Sequence, residues 1–124
     1  MFKFSDKSLR RLATVHADLQ KVASRALEIS EVDFSVLEGR RTLERQVYLR
    51  KRGRSKTMKS QHLLGRAVDL VPYPVDWEDK DAFCKVADAM KKAAAELGIE
   101  IEWGGDWATF IDMPHFQLKP KGRK

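Results

Sequence analysis

The stretch DKDAFCKVADAMKKAAAELG, residues 79–98, does most to restrict the fold. Phe83, Val86, Ala87, Met90, Ala94 and Leu97 recur at three- and four-residue steps, which predicts one apolar stripe down a helix that Gly98 ends. A stripe of that length must be buried against a sheet or against other helices. Cys84 sits beside Phe83 and is expected to be a small core or semi-buried residue. It is the only cysteine, so no internal disulfide forms.

Similar steps at Leu9, Leu12, Leu19, Val22, Ala26 and Ile29 predict one amphipathic helix over 6–29, capped by Ser5 or Asp6, with His16 on its surface. DFSVLEG, 33–39, reads as a strand ending in a turn. TLERQVYLRKRG, 42–53, reads as a second helix, with Thr42 as cap and Leu43, Val47 and Leu49 facing inward. A loop to about residue 61 precedes GRAVDLVPY, a strand stopped by Pro72. IEIEW and PHFQL supply two more strands around a GGDW turn. The order predicts an α+β single domain with a small antiparallel sheet on about three helices. Residues 1–118 form the domain, and 119–124 are a basic tail.

A chain of 124 residues can build one core without disulfides or partners, and a monomer is expected. No apolar run is long enough to cross a bilayer. The opening MFKFSDKSLRRLATVHADLQ has no signal-peptide pattern, which predicts synthesis into the cytoplasm. The net charge of +6 implies affinity for polyanions, with nucleic acid, anionic wall polymer and anionic lipid all qualifying. The charge concentrates in RKRGRSKTMK, 50–59, and in the tail KPKGRK. Such runs also occur as plain solvated surface.

Asp69 lies between Val68 and Leu70 in an otherwise apolar strand, where a carboxylate is costly unless paired or bound to a metal. Strand alternation puts Asp69 on the face opposite Val68 and Leu70, and His115 and Gln117 on the face opposite Phe116 and Leu118. Both strands can thus feed the core and still offer ligands. His62, Asp69 and His115 would make the two-imidazole, one-carboxylate set of a catalytic zinc site with a position open for water. A lone cysteine excludes a thiolate-rich alternative. Asp112 stands three residues before His115, and Pro114 stiffens the segment. A carboxylate there could take a proton from zinc-activated water and pass it to a leaving amine. The residues alone leave a second reading open, in which Asp69 caps a turn or pairs with a basic side chain and the histidines are structural.

SQHLLGRAVDL resembles the S-x-H-x-x-G-x-A-x-D signature, and DMPHFQ the D/E-x-x-H element, of the zinc peptidases that include vancomycin-resistance D-Ala-D-Ala dipeptidases and phage L-alanyl-D-glutamate peptidases. LEGRRTLERQ resembles the G-x-R-T/S-x-x-x-Q segment of the same group. The short length and the N-terminal stretch are most similar to the phage endolysin branch. The resemblance implies a LAS-type zinc peptidase fold with His62, Asp69 and His115 on one Zn2+, Asp112 as general acid/base, and Arg41 stabilising the carbonyl oxygen. Ser60 and Gln46 match motif positions as substrate contacts or braces. Trp103, Trp107 and Phe110 crowd the last connection as either core or site wall, with Trp103 the candidate substrate contact.

The implied reaction is hydrolysis of the L-alanyl-D-glutamate bond of peptidoglycan stem peptides, by a lysis enzyme reaching the wall through a holin-type lesion. The basic surface would add attraction to the anionic envelope. Two other readings compete: a D,D-carboxypeptidase or dipeptidase on the same zinc site, and a basic nucleic-acid-binding module indifferent to chelators.

Overall fold

The computed structural model describes residues 2–53, 61–108 and 111–119. Ser60, residues 54–59 of the basic run, Phe110 and the tail from 120 onward lie outside them.

The N-terminal stretch folds as two helices where the periodicity predicts one: α1, Asp6–Leu12, and α2, Ala17–Ile29. The break has a local cause. Thr14 Oγ1 donates to the Arg11 carbonyl at 2.6 Å, and His16 Nδ1 accepts from the Asp18 N–H at 3.0 Å as the cap of α2. Thr and His here satisfy backbone groups that a continuous helix would use for itself. His16 is therefore a cap, not a helix-surface residue. Leu9, expected to face inward, is 48% exposed, whereas Leu12 and Val15 are buried.

Strand β1, Phe34–Glu38, leads through Gly39 and a Thr42 cap into α3, Leu43–Lys51. This helix buries Gln46 and Leu49. Leu43, expected to face inward, is exposed, and Val47 is half-buried. Strand β2, Ala67–Pro72, is followed by α4, Lys80–Leu97, whose ends match the sequence reading. Asp79 accepts from the Ala82 N–H at 3.1 Å, and Gly98 takes the left-handed conformation, φ 70°, that favours glycine at a helix end. Cys84 is exposed, contrary to expectation, because the buried face of α4 runs through Phe83, Val86, Ala87, Met90 and Ala94 and leaves its neighbour outside. Leu97, placed on that face by periodicity, lies beyond the packed stretch and is largely exposed.

The last strands are β3, Ile101–Trp103, and β4, His115–Leu118, joined through a 3-10 turn at Gly104–Asp106. The sheet order is β1-β2-β4-β3 and every pairing is antiparallel. Helices α2 and α4 pack on each other, α4 also lies on β2, and α1 lies on β1. The core joins Leu19, Val22 and Ala26 of α2, Val86, Met90 and Ala93 of α4, and Phe34, Val36, Val68, Leu70, Phe116 and Leu118 of the sheet. The α+β sheet on helices is as predicted, with four α-helices among the described residues where about three were expected.

Candidate metal centre

Asp69 and His115 are direct partners across β2 and β4. Directly opposite residues of an antiparallel pair point to the same face, so both leave the helix-backed core and meet on the other side of the sheet. His62 arrives from the turn before β2. Its Nε2 lies 3.0 Å from Asp69 Oδ1, and His115 Nδ1 lies 3.4 Å from the same oxygen. The imidazoles meet edge to face with centroids 5.0 Å apart. One ligand atom from each of His62, Asp69 and His115 falls within 4.8 Å of the others, so the three can hold a metal ion.

The donor set fits such an ion in detail. The ring nitrogen of each histidine that faces away from Asp69 has its own partner: His62 Nδ1–H donates to the Gly39 carbonyl at 2.8 Å, and His115 Nε2–H donates to Gln117 Oε1 at 2.7 Å. When a ring is neutral with this proton alone, its remaining lone pair faces the shared centre; without a metal, a second proton on that nitrogen donates to Asp69 instead. Burial alone would raise the Asp69 carboxyl, but hydrogen bonds from His115 and His62 and their charge outweigh it and hold it well below the usual carboxylate range. Burial would lower the His115 imidazole. The hydrogen bond and charge of Asp69, with help from Gln117 and Asp112, raise it instead.

Two glycines make this geometry possible. A Cβ at Gly39 would strike the Arg11 carbonyl oxygen and Thr14 Oγ1, so only glycine lets the carbonyl that accepts from His62 come so close to the α1–α2 junction. Gly65, at φ 70°, ends the turn bearing His62, and its carbonyl accepts from the His16 N–H at 2.8 Å.

Arg41 lies two residues after Gly39, and its side chain is nearly buried. Its guanidinium spans both oxygens of Glu38, at 3.0 and 3.3 Å, and donates to Gln46 Oε1 at 2.7 Å. Its backbone N–H donates to the His62 carbonyl at 2.8 Å, tying this segment to the metal turn. Gln46 is fully buried and holds the arginine, which is the bracing alternative left open by its motif position. Asp112 is half-buried in the same region. Burial and the Asp69 charge raise its carboxyl, partly opposed by His115, His62 and Arg41.

Trp103 is in the core. It stacks on Phe116 with centroids 6.3 Å apart, and its Nε1–H donates to the Met113 carbonyl at 2.6 Å, so it steadies the segment between Asp112 and His115 from behind. Among the described residues, Trp107 is the aromatic of this connection that reaches the site, its ring 5.1 Å from that of His115. Sequence reasoning missed Glu38, the Gly39 carbonyl and the Gln117–Glu102 contact. Gln117 alone had a visible signal, since it shares a strand face with His115.

The turn before β2 and two facing strands bring two imidazoles and a carboxylate together as a group that could hold one metal ion. The chain belongs to the phage L-alanyl-D-glutamate peptidase family, whose model matches residues 1–118. It is 43% identical over 124 residues to the L-alanyl-D-glutamate peptidase of Escherichia phage T5, covering 95% of this chain and 90% of that protein. The crystal structure of the Serratia marcescens L-Ala D-Glu endopeptidase ChiX superposes with a TM-score of 0.89 at 45% identity, covering 95% of this chain and 90% of the other. A vancomycin-resistance D,D-dipeptidase shares the fold, with a TM-score of 0.53 at 18% identity over 84% of this chain and 50% of its own.

Proposed function

We propose that this chain is a zinc-dependent endopeptidase that hydrolyses the L-alanyl-D-glutamate bond of peptidoglycan stem peptides and acts as a lysis enzyme on the cell wall. The observation that carries the reading is the convergence of His62, Asp69 and His115 within 4.8 Å, next to a carboxyl group whose proton affinity is raised. Family membership supplies the bond.

His62 Nε2, an Asp69 oxygen and His115 Nδ1 would hold the ion. When bound, zinc supplies a Lewis acid that polarises a carbonyl and lowers the pKa of water towards neutrality. Asp112 takes the proton of the attacking water and gives it to the leaving D-glutamyl nitrogen. Its partial burial favours the protonated form, which suits a group that must hold a proton between the two steps. Arg41 donates to the alanyl carbonyl oxygen as that atom gains negative charge. Glu38 and Gln46 fix the guanidinium beforehand, so little reorganisation is needed when the charge develops. Trp107 covers one side of His115 and limits the approach of water there. Ser60, at its motif position, contacts the substrate. The enzyme works as a monomer, and its net positive charge adds attraction to the anionic envelope.

Digestion of purified peptidoglycan with the zinc-loaded protein, with and without chelator, tests this reading. Mass spectrometry should find new L-Ala carboxyl and D-Glu amino ends only when metal is present. Release of terminal D-Ala alone would replace the endopeptidase with a carboxypeptidase, and no release from several wall types would remove the enzyme reading.

A further inference from the structure

His115 is held from behind by a pair of side chains on the sheet. Its Nε2–H donates to Gln117 Oε1 at 2.7 Å, and Gln117 Nε2 donates to Glu102 Oε1 at 3.0 Å. The orientation of the Gln117 amide follows from chemistry, because an ionised carboxylate only accepts hydrogen bonds. Glu102 therefore takes the NH2 group, and the amide oxygen is turned to His115. An oxygen facing Nε2 favours the tautomer with its proton there and the Nδ1 lone pair towards Asp69; the Asp69 carboxylate, 3.4 Å from Nδ1, is the acceptor that competes for the same proton.

Strand register makes the arrangement specific. Glu102 is the direct partner of Gln117 on β3, and Ala67 is its partner on β2. Ala67 has only a methyl group, so it offers the amide no competing contact. His62 is steadied differently, by the Gly39 backbone carbonyl. The two histidines thus differ in what fixes them, one a main-chain atom and the other a side chain two residues along the same strand.

We propose that Gln117, oriented by Glu102, is the positioning residue that sets the tautomer of His115 and so the metal affinity of the centre. This inference rests on the metal-centre reading given under Proposed function. An acceptor lost behind a ligating imidazole lets the ring turn and its proton move to Nδ1, where it blocks the ligand atom.

The test uses the full chain, zinc titrations and nitrogen-15 NMR of the histidine rings in the metal-free protein in mildly alkaline buffer. In the wild type, Nε2–H should be the major His115 tautomer despite the Asp69 acceptor facing Nδ1. Gln117→Leu should give a mixed or Nδ1–H tautomer and weaken zinc binding by about 10- to 100-fold. Glu102→Ala, on a partly exposed position that leaves the core untouched, should produce a smaller shift in the same direction. The exchanged pair Gln117→Glu with Glu102→Gln keeps an acceptor towards His115 and a donor towards residue 117. It should restore both the tautomer and the affinity, which a merely structural role for Gln117 would not require.

An unchanged tautomer in both single variants would overturn the proposal, as would unchanged affinity. If the wild type took up no zinc, the metal-centre reading would fail and the tautomer measurements alone would judge the role of Gln117. If wild type and variants bound zinc equally, the centre would stand and the role of Gln117 would fall.

Discussion

Gly104 and Asp112 meet backbone to backbone: the Asp112 carbonyl oxygen occupies the place where a Cβ on residue 104 would stand, and the Asp112 N–H donates to the Gly104 carbonyl at 3.0 Å. The position of the proposed base is thus set by the turn that leaves β3. Gly104→Ala drives a methyl into main chain that has no flexible end to yield. It should cost about 1–3 kcal/mol of stability and lower kcat while leaving metal uptake intact. Urea denaturation beside a kcat measurement checks both effects.

Asp112→Asn keeps the size of the side chain and removes its ability to take a proton. Activity should fall by about 10²- to 10⁴-fold, the usual contribution of a general acid or base. Zinc content, measured by mass spectrometry of the metal, should stay stoichiometric. Full activity in this variant would remove Asp112 from the mechanism.

His62→Ala removes a ligand atom 3.0 Å from Asp69 Oδ1. The variant should lose both stoichiometric zinc and activity, and chelator should no longer shift its thermal midpoint. Zinc retained at one equivalent would mean that the ligand set is wrong.

Arg41→Lys preserves the charge but not the planar fork that bridges Glu38 and Gln46. A lysine cannot satisfy these partners and the substrate oxygen together. The expected loss is about 10²- to 10³-fold in kcat, as when an oxyanion donor is removed, with KM changed much less. A loss confined to KM would assign Arg41 to ground-state binding.

The pH dependence of metal binding follows from His115. Its imidazole is raised above the ordinary 6.5, so in the metal-free protein it lends stability that is full below that value and lost as pH rises through the raised one. Asp69, held below its usual range, lends stability above its unfolded value, lost as pH falls through the folded one. Zinc needs the same Nδ1 lone pair as the proton. Zinc affinity should therefore begin to fall on acidification while the pH is still above 6.5, with proton release on binding. Calorimetry in buffers of different ionisation enthalpy reads both, and a flat affinity across that range would contradict the assignment.

The four described strands, α4 and the meeting of Asp69 with His115 were legible because each depends on local rules: period-two alternation around Asp69 and His115, and a 3.6-residue stripe from Phe83 to Ala94. The break at residues 13–16 was not. It depends on Thr14 and His16 diverting hydrogen bonds, one of them to the distant Gly65 carbonyl, and helical spacing carries no trace of that. The burial of Gln46 escaped the pattern for a similar reason. A polar residue enters the interior when a guanidinium from another segment is there to meet it, and Leu43, though apolar, has no such reason to turn inward. The tryptophans divided by hydrogen bonding: the Trp103 N–H reaches the Met113 carbonyl and belongs inside, whereas Trp107 reaches His115.

Residues 11–16, the end of α1 and its link to α2, contain no catalytic group, yet both arms of the site rest on them. Gly39 lies against Arg11 and Thr14, the Arg40 N–H donates to Thr14 Oγ1 at 2.8 Å, and His16 holds the Gly65 carbonyl. Peeling this corner away would release the turns carrying His62 and Arg41 together. Amide hydrogen exchange should therefore show the corner and those turns opening as one cooperative unit. Resistance to proteolysis at the N-terminal end and catalytic lifetime become the same property of this enzyme, and a change that loosens the corner would inactivate it without altering any group that meets the substrate.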